Sequence, residues 1–280
     1  MIYGLDFPHR LNVVFNGWQV TVRAQTPELA EPLHDLFFHL LSDDPGSSEI
    51  LLELHLRRIG DEFFELEEYG KRHEQGPLSN LLHHVREWVT DSFVSACPEL
   101  LWLHAGGAAY EGRAVLLPGQ SGVGKSSLTA GLVDRGCRYL TDDIVPLDPS
   151  LNCVVPFPFP PSVRRVSPEN SGGWGLFLRQ QKDDIRISSD QVSDEPIPVN
   201  TLIFPEYLQG VSTGVLMEEV STMTATRLLL SQCVRYDAEK EQTISRLLDL
   251  SRSARCFRLV YDNPEQALSA IERVAADGGR

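Results

Sequence analysis

Ala114-Val115-Leu116-Leu117-Pro118-Gly119-Gln120-Ser121-Gly122-Val123-Gly124-Lys125-Ser126-Ser127-Leu128 is the stretch that decides how this chain is read. A short apolar run is followed by a glycine-rich loop, and Lys125 opens a helical segment that continues through Ala130, Gly131 and Leu132. Gly119 to Ser126 fit the spacing G-x-x-x-x-G-K-[ST] at every position. Each residue type has a physical task in such a loop. Glycines let the backbone turn tightly and aim its N–H groups at phosphate oxygens, at a helix N-terminus that already favours anions. Lysine reaches the outer phosphates of a nucleotide, and the serine hydroxyl is a ligand for Mg²⁺. Gly119, Gln120, Ser121, Gly122, Val123, Gly124, Lys125, Ser126 and Ser127 are therefore the expected binding site for ATP with Mg²⁺. Lysine occurs elsewhere only at Lys71, Lys182 and Lys240, so a lysine inside this loop is not background composition.

A phosphate-binding loop alone does not say whether the terminal phosphoryl group goes to water or to a hydroxyl. Asp142-Asp143 follows the short strand Arg138-Tyr139-Leu140, near the strand's C-terminal end, where ligand sites collect in α/β sheets. One of these carboxylates can hold Mg²⁺ and the other can accept a proton from an attacking hydroxyl. His104 ends the expected strand Leu100-Leu101-Trp102-Leu103 and precedes the small residues Ala105-Gly106-Gly107-Ala108-Ala109. Adjacent parallel strands would bring His104, the loop and Asp142 to one edge of the sheet.

The blocks Leu103-His104-Ala105-Gly106, Gly119–Ser126 and Arg135-Gly136-Cys137-Arg138-Tyr139-Leu140-Thr141-Asp142-Asp143 occur in that order. Together they resemble the catalytic domain of HPr kinase/phosphorylase, and the likeness covers about residues 100–148. The resemblance implies an α/β fold, the P-loop kinase core of the HPr kinase and phosphoenolpyruvate carboxykinase type, preceded here by a small N-terminal α+β module. It implies that Lys125 and Ser126 hold phosphates and Mg²⁺, and that Asp142 deprotonates a serine hydroxyl. It also implies that His104 orients Asp142 or the substrate, and that Asp143 supports the metal or the base. The later Glu-Arg-Gly-x-Gly block of the bifunctional enzymes has no counterpart here. The region holds Pro160-Pro161-Ser162-Val163-Arg164-Arg165 and Ser171-Gly172-Gly173-Trp174-Gly175 instead. Arg164 and Arg165 are either a phosphate clamp or two solvated loop arginines. What remains is similar to short HPr-kinase-related serine kinases, for which the acceptor is a peptide or protein, or a small molecule such as free serine.

The rest of the chain sets limits. With 280 residues and 42% hydrophobic content it holds one main domain and a smaller appendage. We expect an α+β module over residues 1–95 and the catalytic domain over 96–280. Asn16-Gly17 between Leu11–Phe15 and Trp18–Val22 is a strong hairpin signal, and a helix follows from Thr26-Pro27 to about Leu41. Residues 156–175 and 183–195 read as loops, and Cys256–Tyr261 as the last strand. A net charge of −14 argues against nucleic-acid and anionic-membrane partners. No apolar run approaches the roughly 20 residues that span a bilayer. Five scattered cysteines without a C-x-x-C pair read as reduced thiols, so a cytoplasmic location is expected and a homo-oligomer is left open. The leading expectation is an ATP-dependent serine kinase. Its rivals are a nucleotide-binding ATPase or switch, for which no N-K-x-D marker is present, a small-molecule kinase, and a protein that keeps the nucleotide as a structural ligand.

Overall fold

The computed structural model describes residues 7–44, 46, 48–68, 71–164, 182–208, 214–235 and 240–277. Its chain contacts separate two units, Met1–Glu99 and Leu100–Arg280. In the first unit, β1 (His9–Phe15) and β2 (Trp18–Ala24) form the hairpin that Asn16-Gly17 encodes, with φ of 49° and 81° at the two turn residues. Positive φ at both central positions matches the right-handed twist of the flanking strands. Helix α1 (Pro27–Phe37) carries the chain across to β3 (Glu49–Arg58), which therefore pairs parallel with β2. Then β4 (Phe64–Glu68) and β5 (Lys71–Gly76) add antiparallel, in the order β1-β2-β3-β4-β5, before α2 (Leu78–Ala96). β3 buries Leu52, Leu54 and Leu56 at alternate positions, while Leu81, Val85, Val89 and Phe93 form the buried stripe of α2 at helical spacing.

The second unit is a mixed α/β layer structure. Its strands are β6 (Leu101–Tyr110), β7 (Arg113–Pro118), β8 (Arg138–Thr141), β9 (Ile144–Asp148), β10 (Cys153–Val154), β11 (Ser162–Arg164), β12 (Lys182–Asp184), β13 (Ile197–Tyr207), β14 (Leu216–Glu219) and β15 (Arg255–Tyr261). Its helices are α3 (Lys125–Asp134), α4 (Thr222–Leu230), α5 (Lys240–Ser253) and α6 (Pro264–Asp277). The main sheet runs β10-β9-β6-β7-β13-β15-β14, with β8 beside β6. β10 also pairs with β13, so β6, β7, β13, β10 and β9 close into a ring.

The middle strands are buried on both faces, which is why they read as unbroken apolar runs. Ala114 and Leu116 of β7, Leu202 and Phe204 of β13 and Cys256 of β15 pack with Ala225 and Leu229 of α4 and Leu247 and Leu250 of α5. The alternate residues Val115, Leu117, Ile203, Phe257 and Leu259 pack with Leu128 and Leu132 of α3 and Leu268 and Ile271 of α6.

The expected parallel pairing around His104 is not what forms. β7–β13 and β13–β15 are parallel, but β6 runs antiparallel to β7, β8 and β9. A two-residue turn, Glu111-Gly112 with φ of 47° and 74°, joins β6 directly to β7 and makes them a hairpin. Nor does the strand end at His104, because Gly106 and Gly107 stay within β6. Glycine is depleted in strands unless something approaches closely. Here a Cβ on Gly106 would collide with Thr129 Oγ1 of α3, and one on Gly107 would lie 3.0 Å from Leu116 Cδ2.

β11 and β12 form a short antiparallel pair within the stretches read as loop, and 165–181 lie outside the described residues. Cys97, Cys137 and Cys256 are buried, Cys153 and Cys233 are half-buried, and none forms a disulfide. Among the described residues no helix is long and apolar enough to cross a membrane.

Leu116 is fully buried where β7 meets the α4–α5 layer. Leu116→Ala should cost about 2–5 kcal/mol in urea denaturation. A loss below about 1 kcal/mol would contradict the packing described.

Candidate functional site

The glycine-rich loop leaves the C-terminal end of β7 and re-enters the fold as α3. Gly122 and Gly124 both have φ of 93°, a left-handed conformation that side-chain-bearing residues rarely adopt. Gly124 is the N-cap of α3 and has no room for a Cβ, which would collide with the Tyr261 hydroxyl. A Cβ on Gly119 would lie 2.9 Å from Val123 Cγ2. The sequence pattern and the steric requirement therefore coincide at both ends of the loop. Lys125 is only 6% exposed, and its ammonium donates to the carbonyls of Gly119 (2.7 Å) and Gln120 (3.0 Å). A buried ammonium with an aliphatic stem and backbone carbonyl partners is a charge held in place.

β8 and β9 lie end to end along β6, with Thr141 opposite Gly107 and Ile144 opposite His104. That register sets Asp142 and Asp143 beside Gly106 and Ala105, and Ala105 N–H donates to the Asp143 carbonyl at 3.1 Å. Asp143 has φ of 76°, a conformation that aspartate tolerates better than most residues. The two carboxylates have different surroundings. Asp142 is 3% exposed and lies against the start of α3: its Oδ1 is 3.5 Å, and the Lys125 carbonyl 3.6 Å, from where a Cβ on Gly106 would stand. The Asp143 side chain is 56% exposed and its Oδ1 lies 2.7 Å from His104 Nε2.

His104 is the fourth residue of β6 and faces this pair from the strand. Its backbone is fastened on both sides, since its carbonyl accepts from Gly119 N–H at 3.3 Å and its N–H donates to the Gln232 carbonyl at 2.7 Å. Burial lowers the pKa of the ring below its ordinary value; the charge of Lys125 lowers it further, and Asp143 opposes both. The shift favours the neutral ring at pH 7. Because a carboxylate accepts from Nε2, that nitrogen carries the proton.

Beyond the end of β7, the segment Ser231–Val234 takes its place alongside β6. Cys233 bridges to Leu103, and Val234 N–H donates to the Trp102 carbonyl at 3.0 Å. Between this segment, His104 and the loop residues Gln120 and Ser121 is an open cleft of about 290 Å³.

The structure therefore brings Lys125, His104, Asp142 and Asp143 to one place beside the loop. The hydrogen bond of His104 goes to Asp143, where the resemblance puts Asp142 or the substrate. The backbone of Arg164 lies in β11, while its side chain and the whole of Arg165 lie outside the described residues. No group of three or more His, Cys, Asp or Glu among the described residues could hold a metal ion by itself. Any Mg²⁺ here would thus take one or two protein oxygens and complete its shell from phosphates and water, which is how Mg²⁺ is usually bound beside nucleotides.

Sequence reasoning missed Thr129, Tyr261 and Ser231–Val234. Thr129 stands one helical turn after Lys125 and so on the same face of α3, and its buried hydroxyl has no hydrogen-bond partner among the described residues. Tyr261 ends a parallel strand, the position at which a site residue is expected. Ser231–Val234 carries no local signal.

No model of a known protein family matches the chain, and no curated protein matches it. Among solved structures, the Hpr(Ser) kinase/phosphatase from Coxiella burnetii is similar over 63% of this chain and 93% of that chain, at 15% identity and a TM-score of 0.31. A likeness that distant leaves the site to be judged on its own geometry.

Proposed function

We propose that the second unit is a P-loop kinase core, which binds ATP at Gly119–Ser127 and transfers its terminal phosphoryl group to a serine hydroxyl. The observation that carries this reading is an open cleft lined both by the phosphate-binding loop at Gln120 and Ser121 and by His104, whose ring is hydrogen-bonded to Asp143. Hydrolysis alone has less need of such a pair, whereas a hydroxyl acceptor benefits from a positioned base. Glycine backbone N–H groups at the start of α3 and the Lys125 ammonium would receive the phosphates. Ser126 with Asp142 or Asp143 would hold Mg²⁺, which when bound neutralises charge on the phosphates.

Within this reading the resemblance assigns the base to Asp142. The geometry favours Asp143: it is the solvent-exposed carboxylate, and the neutral imidazole of His104 donates to one of its oxygens, leaving the other for the acceptor proton. Asp142, buried against the start of α3, is then the better partner for the metal. Serine within a peptide or protein is favoured over free serine. Gln120, Ser121, Ser231 and Gln232 line the cleft, and among the described residues no lysine or arginine lines it to receive a free carboxylate.

Incubation with γ-labelled ATP, Mg²⁺ and candidate serine peptides, read by mass spectrometry, tests the reading. Phosphopeptide is expected; label found only as free phosphate would make the protein an ATPase. Asp143→Asn should slow transfer about 10²- to 10⁴-fold with ATP affinity within a few-fold. Asp142→Asn should instead raise the Mg²⁺ concentration needed for half-maximal rate. If Asp142→Asn removes transfer with no change in Mg²⁺ dependence, and Asp143→Asn is mild, Asp142 is the base.

The pair also makes a titration prediction. Followed by NMR, His104 should titrate below the ordinary 6.5, lower still in Asp143→Asn, and higher in Lys125→Ala. A midpoint above 6.5 in the unaltered protein would contradict the neutral ring.

A further inference from the structure

The Tyr261 hydroxyl makes a contact that the proposed chemistry leaves unused. Tyr261 ends β15, which is parallel to β13, as β13 is to β7, so its end of the strand lies on the same side of the sheet as the loop. It is 2% exposed. The hydroxyl donates to the Val123 carbonyl at 2.9 Å and stands where any Cβ on Gly124 would fall. Tyr207 packs edge-on against the ring, with centroids 5.5 Å apart. Burial, and after it Tyr207, pushes the pKa of Tyr261 up to about 12, so the hydroxyl remains a donor throughout the neutral range.

Resting on the nucleotide reading above, we propose that Tyr261 is the positioning residue of the phosphate-binding loop, fixing the orientation of the Val123–Gly124 peptide. A trans peptide is planar and its C=O and N–H point in opposite directions. Tying the Val123 carbonyl to Tyr261 therefore aims the Gly124 N–H away from the tyrosine. The need for an anchor follows from the loop's composition. Gly122 and Gly124 have the widest backbone freedom of any residue type, and both are held at φ of 93°. A loop that spends only part of its time in the binding-competent shape loses affinity in proportion to that fraction. The anchor comes from β15, far along the chain from the loop it holds, so the phosphate site depends on the C-terminal strand being in place.

Tyr261→Phe removes the hydroxyl and keeps the ring; Tyr261→Leu removes both. Each variant is compared with the unaltered protein in three measurements: amide hydrogen exchange of residues 119–126 without nucleotide, the Kd for Mg-ATP, and the thermal midpoint. In Tyr261→Phe, exchange in the loop should speed up and Kd should rise about five- to tenfold, the effect of one hydrogen bond, with little change in the midpoint. Tyr261→Leu should go further in both. A lowered midpoint with unchanged exchange and Kd would make Tyr261 a packing residue only and overturn the proposal. Failure of the unaltered protein to bind Mg-ATP would overturn the nucleotide reading and this proposal with it. Binding that is indifferent to both substitutions would overturn this proposal alone.

Discussion

The close approach of α3 to β6 is the constraint on which the rest of the second unit depends. β6 offers no side chain at Gly106, and that bare spot lets the helix come near enough for Thr129 to occupy the space beside it. The same approach brings the first turn of α3, and with it Lys125, against the strand that carries His104. Along the edge of β6 away from β7, the register of β8 and β9 delivers Asp142 and Asp143 to the level of Gly106. A Cβ at this one position would collide with the Thr129 hydroxyl and press on the helix from the strand side.

The electrostatics follow from that closeness. Lys125 is buried and satisfied by loop carbonyls, so its charge acts at short range in a poorly screened place. It helps keep His104 neutral, and a neutral His104 can act only as a donor from Nε2 toward Asp143. The carboxylates divide by exposure: one is enclosed by strand and helix, the other is open to solvent. Two adjacent aspartates in sequence thus become two chemically distinct groups, because positive φ at Asp143 breaks the regular path of the strand.

Much of this was legible in the sequence, and the failures have physical causes. The strand–loop–helix around Gly119–Ser126 could be read because the motif, the apolar run and the helix start are local and agree with one another. The hairpin at Asn16-Gly17 was legible for the same reason. The direction of β6 was not, because the turn that sets it begins with Glu111, a residue with no preference for positive φ. Gly106 and Gly107 looked like the chain leaving a strand, since only the helix packed on one face and the side chains of β7 and β8 crowding the other explain glycine there. The bond between His104 and Asp143 joins residues on two strands and depends on register, which no local pattern reveals. Tyr261 could have been found by asking which residues end the parallel strands beside the loop.

The most direct test of the account is a crystal structure of the protein with Mg²⁺ and a non-hydrolysable ATP analogue. The account predicts the β- and γ-phosphates inside Gly119–Ser126, with Lys125 turned from the Gly119 and Gln120 carbonyls onto phosphate oxygens and the γ-phosphate facing the His104–Asp143 pair. An analogue bound elsewhere, or bound in the loop with its γ-phosphate directed away from that pair, would contradict it.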